Sequence, residues 1–230
     1  ININANGPPV SYADANVFLS YESFVKNQNQ AFKALHLDGA VYDNPKFNCK
    51  LNSSNKKIIM YSGNFSKWAG VEIFLKAIPL VKSEKIEFWI TGNGVINREL
   101  DYILEDPRVN FFGMVNRNRL YQLYSCADIF VNPRANLYEN DLNFPSKILD
   151  YLSYGKPTVS FKTLGLSPVI SENLFFTNNS TSESLALEIE KVIKMDDSRY
   201  IEINRMINRF RATRTWDTET RRLIEFCNLI

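Results

Sequence analysis

From residue 57 onward, short apolar runs alternate with helical patterns, and no other feature constrains the fold as tightly. The runs cover residues 57–61, 86–91, 109–112, 128–132, 157–161 and 174–177, each bounded by Gly, Asn, Asp or Pro. Several are near-continuous in apolar residues, as strands buried on both faces of a parallel sheet must be. Helical periodicity fills the gaps at 71–83, 96–104, 119–125, 146–154 and 183–194. Such alternation with short loops predicts right-handed βαβ units. The expected class is α/β, a doubly wound Rossmann-like parallel sheet of about six strands.

The ends read differently. Residues 16–20 predict a strand, 24–35 a helix and 40–42 a short extended piece. Residues 46–55 are polar and read as a linker, and two helical patterns follow residue 196. Arg205, Arg209, Arg211 and Arg214 come with no acid between Glu202 and Asp217. Spacing leaves two readings of that run open, a solvated helix face or a contact with an acidic partner or membrane surface.

Composition narrows the function. The chain has 230 residues, 45% of them hydrophobic, enough for a sizeable core. Its formal net charge of +2 excludes a polybasic tail, so no nucleic-acid partner is expected. Cys49, Cys126 and Cys227 form no C-x-x-C pair, which predicts free thiols in a reducing compartment and no zinc cage. His36 is the single histidine, so a Ser/His/Asp triad or a histidine metal site is disfavoured. No apolar run approaches the ~18 residues of a membrane span. The start resembles no signal peptide and lacks methionine, from which a piece of a longer protein is expected.

In open α/β sheets ligands bind at the carboxyl ends of the strands. After the first run, Gly63 lets backbone pass close to a ligand, and Lys67 supplies a cation. After the second, Gly92-Asn93-Gly94 gives two-thirds of a G-x-G-x-x-G fingerprint, but the following run ends without an acid, which disfavours a dinucleotide site. The richest stretch runs from Asn143 and Phe144 through Pro145-Ser146-Lys147 to Asp150 and Gly155. Lys147 and Asp150 share a helix face with Ser146, opposite Ile148, Leu149 and Leu152. The amides of Ser146 and Lys147 would offer an anion site at the helix start. Lys67, Arg134 and Lys147 are the available cations, and Asp150 has two acceptor oxygens suited to a vicinal diol. A plain amphipathic helix with a solvated Lys147–Asp150 pair fits the spacing equally well.

In order along the chain stand Tyr61-Ser62-Gly63, Thr91-Gly92-Asn93-Gly94, residues 109–115, residues 127–131, and Pro145-Ser146-Lys147-x-x-Asp150-Tyr151-Leu152-Ser153-Tyr154-Gly155-Lys156-Pro157. This series resembles the donor half of a family 4, or group 1, glycosyltransferase. The last block resembles the signature of a bacterial polysaccharide-assembly subgroup. The resemblance implies a GT-B architecture. Residues 1–56 would be a remnant of the acceptor domain plus linker, 57–212 the nucleotide-sugar-binding domain, and 213–230 a crossover helix. It implies transfer, with retention, of a sugar from a nucleotide diphosphate sugar to a carbohydrate or lipid-linked acceptor. The donor would meet Gly63, Asn64, Lys67, Asn93, Gly94, Gly113, Met114, Val115, Phe144, Ser146, Lys147 and Asp150. Lys147, Arg134 and Glu139 would serve catalysis; Leu142 stands where the family has an acid near the transferred sugar, with Glu139 and Asp141 close by and the role of that acid left open. Asp150 stands where the family usually has Glu to hold ribose. No cofactor and no metal are expected. The place would be cytoplasmic, with peripheral association at the inner membrane face left open, and the missing N-terminal domain a partner. The chain by itself is expected to bind donor and transfer poorly. Two alternatives stay open: a nucleotide-sugar-binding module without transfer, and a GT-B nucleotide-sugar epimerase.

Overall fold

A computed structural model describes residues 1–4, 9–29, 33–43, 47, 56–135 and 138–230, the side chains of Tyr138 and Glu139 excepted. The chain opens with β1 (Asn2–Asn4), β2 (Ala15–Phe18), α1 (Tyr21–Asn27) and β3 (Lys33–His36). It continues through β4 (Lys57–Asn64), α2 (Val71–Ala77), β5 (Ile86–Asn93), α3 (Asp101–Leu104), β6 (Val109–Gly113), α4 (Arg117–Cys126) and β7 (Ile129–Asn132). After α5 (Tyr138–Asp141) come α6 (Lys147–Ser153), β8 (Thr158–Ser160), α7 (Pro168–Ser171), β9 (Phe175–Phe176) and α8 (Ser182–Ile193). The chain ends in α9 (Asp197–Thr213) and α10 (Trp216–Cys227).

Six strands form one sheet in the order β6-β5-β4-β7-β8-β9. Every pairing in it is parallel. The order reverses between β4 and β7, which makes this a doubly wound α/β sheet with its switch point beside β4. β4 and β5 pair in register from Lys57↔Ile86 to Asn64↔Asn93. Alternation along β4 feeds both faces: Ile59 and Tyr61 enter one core cluster, and Ile58 and Met60 the other. Ile58, Ile59 and Met60 are fully buried. Each such side chain contributes about 1.5–3 kcal/mol of burial.

The six expected strands are all present, and so are both helices after residue 196. The expected helix at 24–35 is not. Ser20 caps a helix that spans Tyr21–Asn27, its side chain accepting from Ser23 N. Residues Lys33–His36 instead pair with β2 in a separate three-stranded parallel sheet, order β1-β2-β3. The helical pattern at 71–83 breaks after Ala77, where Pro79 sits in a 3₁₀ turn, Ile78–Leu80. That at 96–104 splits into a 3₁₀ turn, Arg98–Leu100, and α3. Ala40–Tyr42 joins no strand; Val41 N donates to Arg214 O at 2.9 Å. The expected linker at 46–55 lies outside the described residues apart from Phe47.

Charge also differs from expectation in one place. Arg214 is not on a solvated face. It ion-pairs with Asp38, which is fully buried, and lies 3.5 Å from Glu219, which is 2% exposed. Arg222 reaches the other oxygen of Glu219. This network ties the end of the small sheet to α10. Cys126 is disulfide-bonded, against the expectation of three free thiols, and Cys227 is free and exposed. No helix among the described residues is long and apolar enough to cross a membrane.

Candidate active site at the strand ends

The carboxyl ends of β4, β5, β6 and β7 open into two adjoining cavities. One, of about 210 Å³, is lined by Tyr61, Ser62, Gly63, Asn64, Asn132, Arg134, Ser146 and Lys147, among others. The other, of about 230 Å³, is lined by Ser62, Gly63, Asn64, Thr91, Gly92, Asn93, Met114, Val115, Leu120 and Lys147. Ser62, Gly63, Asn64 and Lys147 border both, so the two form one cleft with Lys147 at its middle.

Backbone contacts set the shape of this cleft. Gly92 has φ 153°, and a Cβ there would stand 1.7 Å from Gly63 O. The ends of β4 and β5 therefore close up only with glycine at this position. Thr91 Oγ1 donates to Gly113 O at 2.7 Å and pins β6 alongside. On the other side, Asn140 Nδ2 donates to Ala135 O at 2.7 Å and to Trp68 O at 3.2 Å. These bonds stitch the loop after β4 to the segment after β7 that carries Arg134.

The cleft floor holds a polar knot. Tyr151 Oη donates to Ser62 O at 2.9 Å, and Ser62 N donates to Tyr151 Oη at 3.2 Å. Tyr124 Oη bonds Ser62 Oγ, and Lys147 Nζ donates to Tyr124 Oη at 3.4 Å. Burial pushes both phenols up, Tyr151 to about 12, so they stay protonated. Arg134 is half-buried, and the loss of solvation pulls its pKa down, with only Tyr61 opposing. No carboxylate stands among the described lining residues of either cavity. The cleft thus offers two cations to an anion.

The structure brings Gly63, Asn64, Asn93, Met114, Val115, Arg134, Ser146 and Lys147 together around this space. Lys67 is exposed on its loop, and Gly94, Gly113 and Phe144 line neither cavity. Asp150 stands behind Lys147, 3.8 Å from its Nζ, with its carboxyl raised by burial against the pull of Lys147 and Arg117. Glu139 falls in α5, but its side chain lies outside the described residues. The expected anion site at the helix start is weaker than read. α6 begins at Lys147, and Ser146 N already donates to Phe144 O at 3.0 Å. Ser62, Tyr124 and Tyr151 were missed as site residues because buried aromatics read as core. The signal that could have found them is their hydroxyls, which a buried tyrosine must satisfy.

Fold and site together define an α/β protein with a ligand cleft at the switch point of a doubly wound sheet. Residues 56–195 match the family described as glycosyl transferases group 1, and the chain belongs to that family. It is 27% identical over 149 residues to a probable glycosyltransferase, WbjE, of Pseudomonas aeruginosa, covering 61% of this chain. The chain spans only 37% of that relative's length. Its fold is similar to that of Anabaena HepE in complex with UDP and glucose, with a TM-score of 0.73 at 19% identity, over 95% of this chain and 64% of that one. It is also similar to the C-terminal domain of LpcC, a group 1 family protein of Francisella tularensis. There the TM-score is 0.55 at 16% identity, over 69% of this chain and 85% of that one.

Proposed function

We propose that this chain carries the donor-binding half of a glycosyltransferase. It would hold a nucleotide diphosphate sugar for transfer to a carbohydrate or lipid-linked acceptor in bacterial surface polysaccharide synthesis. The observation that carries this reading is the pair of cations, Arg134 and Lys147, facing one cleft with no carboxylate among its described lining residues. A leaving diphosphate gains negative charge as the glycosidic bond breaks. Cations already placed in the cleft stabilise that charge as it develops. Met114, Val115 and Leu120 give the second cavity an apolar wall against which a base can stack. Asp150, 3.8 Å from Lys147 Nζ, would be the acid for a ribose diol. Residues 57–212 would form the donor domain, with 1–56 and 213–230 belonging to the junction with an acceptor domain. That domain would complete the cleft, and transfer would proceed with retention and without a metal. The structures similar to this chain include one with UDP and glucose bound, which supports a nucleotide-sugar ligand.

Thermal-shift screening against UDP-, GDP-, dTDP- and ADP-sugars tests the reading. Stabilisation by one of them, exceeding that from its nucleoside, is expected. No response to any of the four would contradict it. Acceptor-dependent release of nucleoside diphosphate by the full-length protein separates transfer from simple binding.

A further inference from the structure

We infer that Tyr124 is a positioning residue for Lys147, acting through a hydrogen-bond chain of fixed direction beneath the cleft. The chain joins three elements: Ser62 at the end of β4, Tyr124 on α4, and Lys147 with Tyr151 on α6. Its direction follows from counting protons. An ammonium has donors and no acceptor, so in the 3.4 Å contact the Tyr124 oxygen must accept from Lys147 Nζ. The single phenolic proton of Tyr124 is then free for Ser62 Oγ. Tyr151 spends its own proton on Ser62 O at 2.9 Å, so its oxygen is left to accept. It takes Ser62 N–H at 3.2 Å and lies 3.4 Å from Ser62 Oγ, whose proton completes the chain. Each hydroxyl has one outlet, and the sequence Lys147 to Tyr124 to Ser62 to Tyr151 to the Ser62 carbonyl satisfies all of them.

The chain is anchored from below. Tyr124 is 1% exposed, and its ring meets Phe130, Tyr151 and Tyr154 edge-on at 5.4, 5.8 and 5.4 Å. Phe130 stacks on Tyr151 at 4.4 Å. The phenol oxygen is therefore a fixed point in a packed cluster. Lys147 is a long, flexible side chain, 42% exposed. Its other polar neighbour, Asp150, is 3.8 Å away and about a third exposed. A buried, immobile acceptor restricts where the ammonium sits, and the position it selects borders both cavities. Burial keeps Tyr124 protonated, so its one proton remains available for Ser62 Oγ. The functional consequence rests on the proposed role of Lys147 as a diphosphate cation; the contact itself does not.

The test is Tyr124→Phe, which removes one oxygen and keeps the ring. Two readouts are needed. Acetylation of Lys147 by an N-hydroxysuccinimide ester, followed by peptide mass spectrometry, reports the ammonium without any nucleotide. Loss of the acceptor should raise its rate several-fold, and Ser62→Ala, which frees the Tyr124 hydroxyl, should raise it less. Ile189→Ala, in the core cluster on the other face of the sheet, is the packing control: it should lower the melting temperature and leave the rate unchanged. Titration with UDP, GDP, dTDP and ADP and their nucleosides is the second readout. Tyr124→Phe should weaken the bound diphosphate roughly fivefold, the worth of one hydrogen bond, and leave the nucleoside unchanged. It should add nothing in a Lys147→Ala background. An unchanged acetylation rate in both Tyr124→Phe and Ser62→Ala would overturn the inference. A changed rate with Lys147→Ala still binding diphosphate normally would support the contact and overturn the diphosphate role of Lys147.

Discussion

Gly70 and Pro133 meet backbone to backbone: a Cβ on Gly70 would stand 1.8 Å from Pro133 O. Gly70 also has φ 76°, the left-handed region, and serves as the cap before α2. The loop after β4 and the segment leading to Arg134 thus touch without a side chain between them. Gly70→Ala is expected to destabilise the fold by about 3 kcal/mol, through strain and forced separation. Diphosphate affinity should fall with it, because Arg134 follows Pro133 directly. Chemical denaturation and titration of the same variant check both. An alanine variant of parental stability would show that the two segments can part freely.

His36 should make stability depend on pH. Its imidazole packs between Tyr21 and Phe24, at 5.3 and 5.6 Å. Burial, then the charge of Arg214, lowers its pKa from 6.5 to about 4. The unfolded chain therefore binds the proton more readily. The stability that neutral His36 supplies is whole above pH 6.5 and is lost as pH falls toward 4. The loss is on the order of 2 kcal/mol after allowance for partial exposure. Denaturation at a series of pH values, with His36→Phe beside the parent, should show a shallower slope for the variant. Equal slopes would rule out His36 as the source.

Arg214 should matter more to stability than its partner Asp38. It bridges two buried carboxylates, Asp38 and Glu219, and Ser167 Oγ adds a bond to Asp38. Arg214→Met strands Asp38 with only that hydroxyl, while Glu219 keeps Arg222. The expected cost is about 3–5 kcal/mol, the range for breaking a buried pair from one side. Asp38→Asn, which leaves Arg214 its bond to Glu219, should cost less. Urea midpoints of the two variants decide the order.

The large sheet was legible because its strands are buried on both faces, so Ile58-Ile59-Met60 and Phe88-Trp89-Ile90 read as continuous apolar runs. The small sheet was not. Asn2–Asn4 is polar, and Lys33–His36 is only partly buried along its length, so neither carries a strand pattern. Both are strands only because β2 pairs with them. Gly63, Asn64, Arg134 and Lys147 were legible from the rule that ligands meet strand ends. Tyr124 and Tyr151 were not, since each shows an apolar ring to the periodicity while its hydroxyl alone joins the polar network beneath the cleft. Arg214 was misread for a related reason: its buried partner Asp38 lies 176 positions away.

Donor binding should survive a chelator. The diphosphate is expected to be neutralised by Arg134 and Lys147, so EDTA should leave the affinity for a nucleoside diphosphate unchanged. A large loss that added Mg²⁺ or Mn²⁺ restores would mean that a divalent ion carries the charge instead.

The most direct measurement is calorimetric titration of the parent and of Arg134→Ala/Lys147→Ala with UDP, GDP, dTDP and ADP, each beside its nucleoside. If the two cations form the diphosphate site, the parent binds one diphosphate clearly better than its nucleoside. The double variant should lose at least ~10-fold in that diphosphate affinity, about 1.4 kcal/mol, while nucleoside affinity holds. A double variant that binds the diphosphate as well as the parent would contradict the assignment of this cleft.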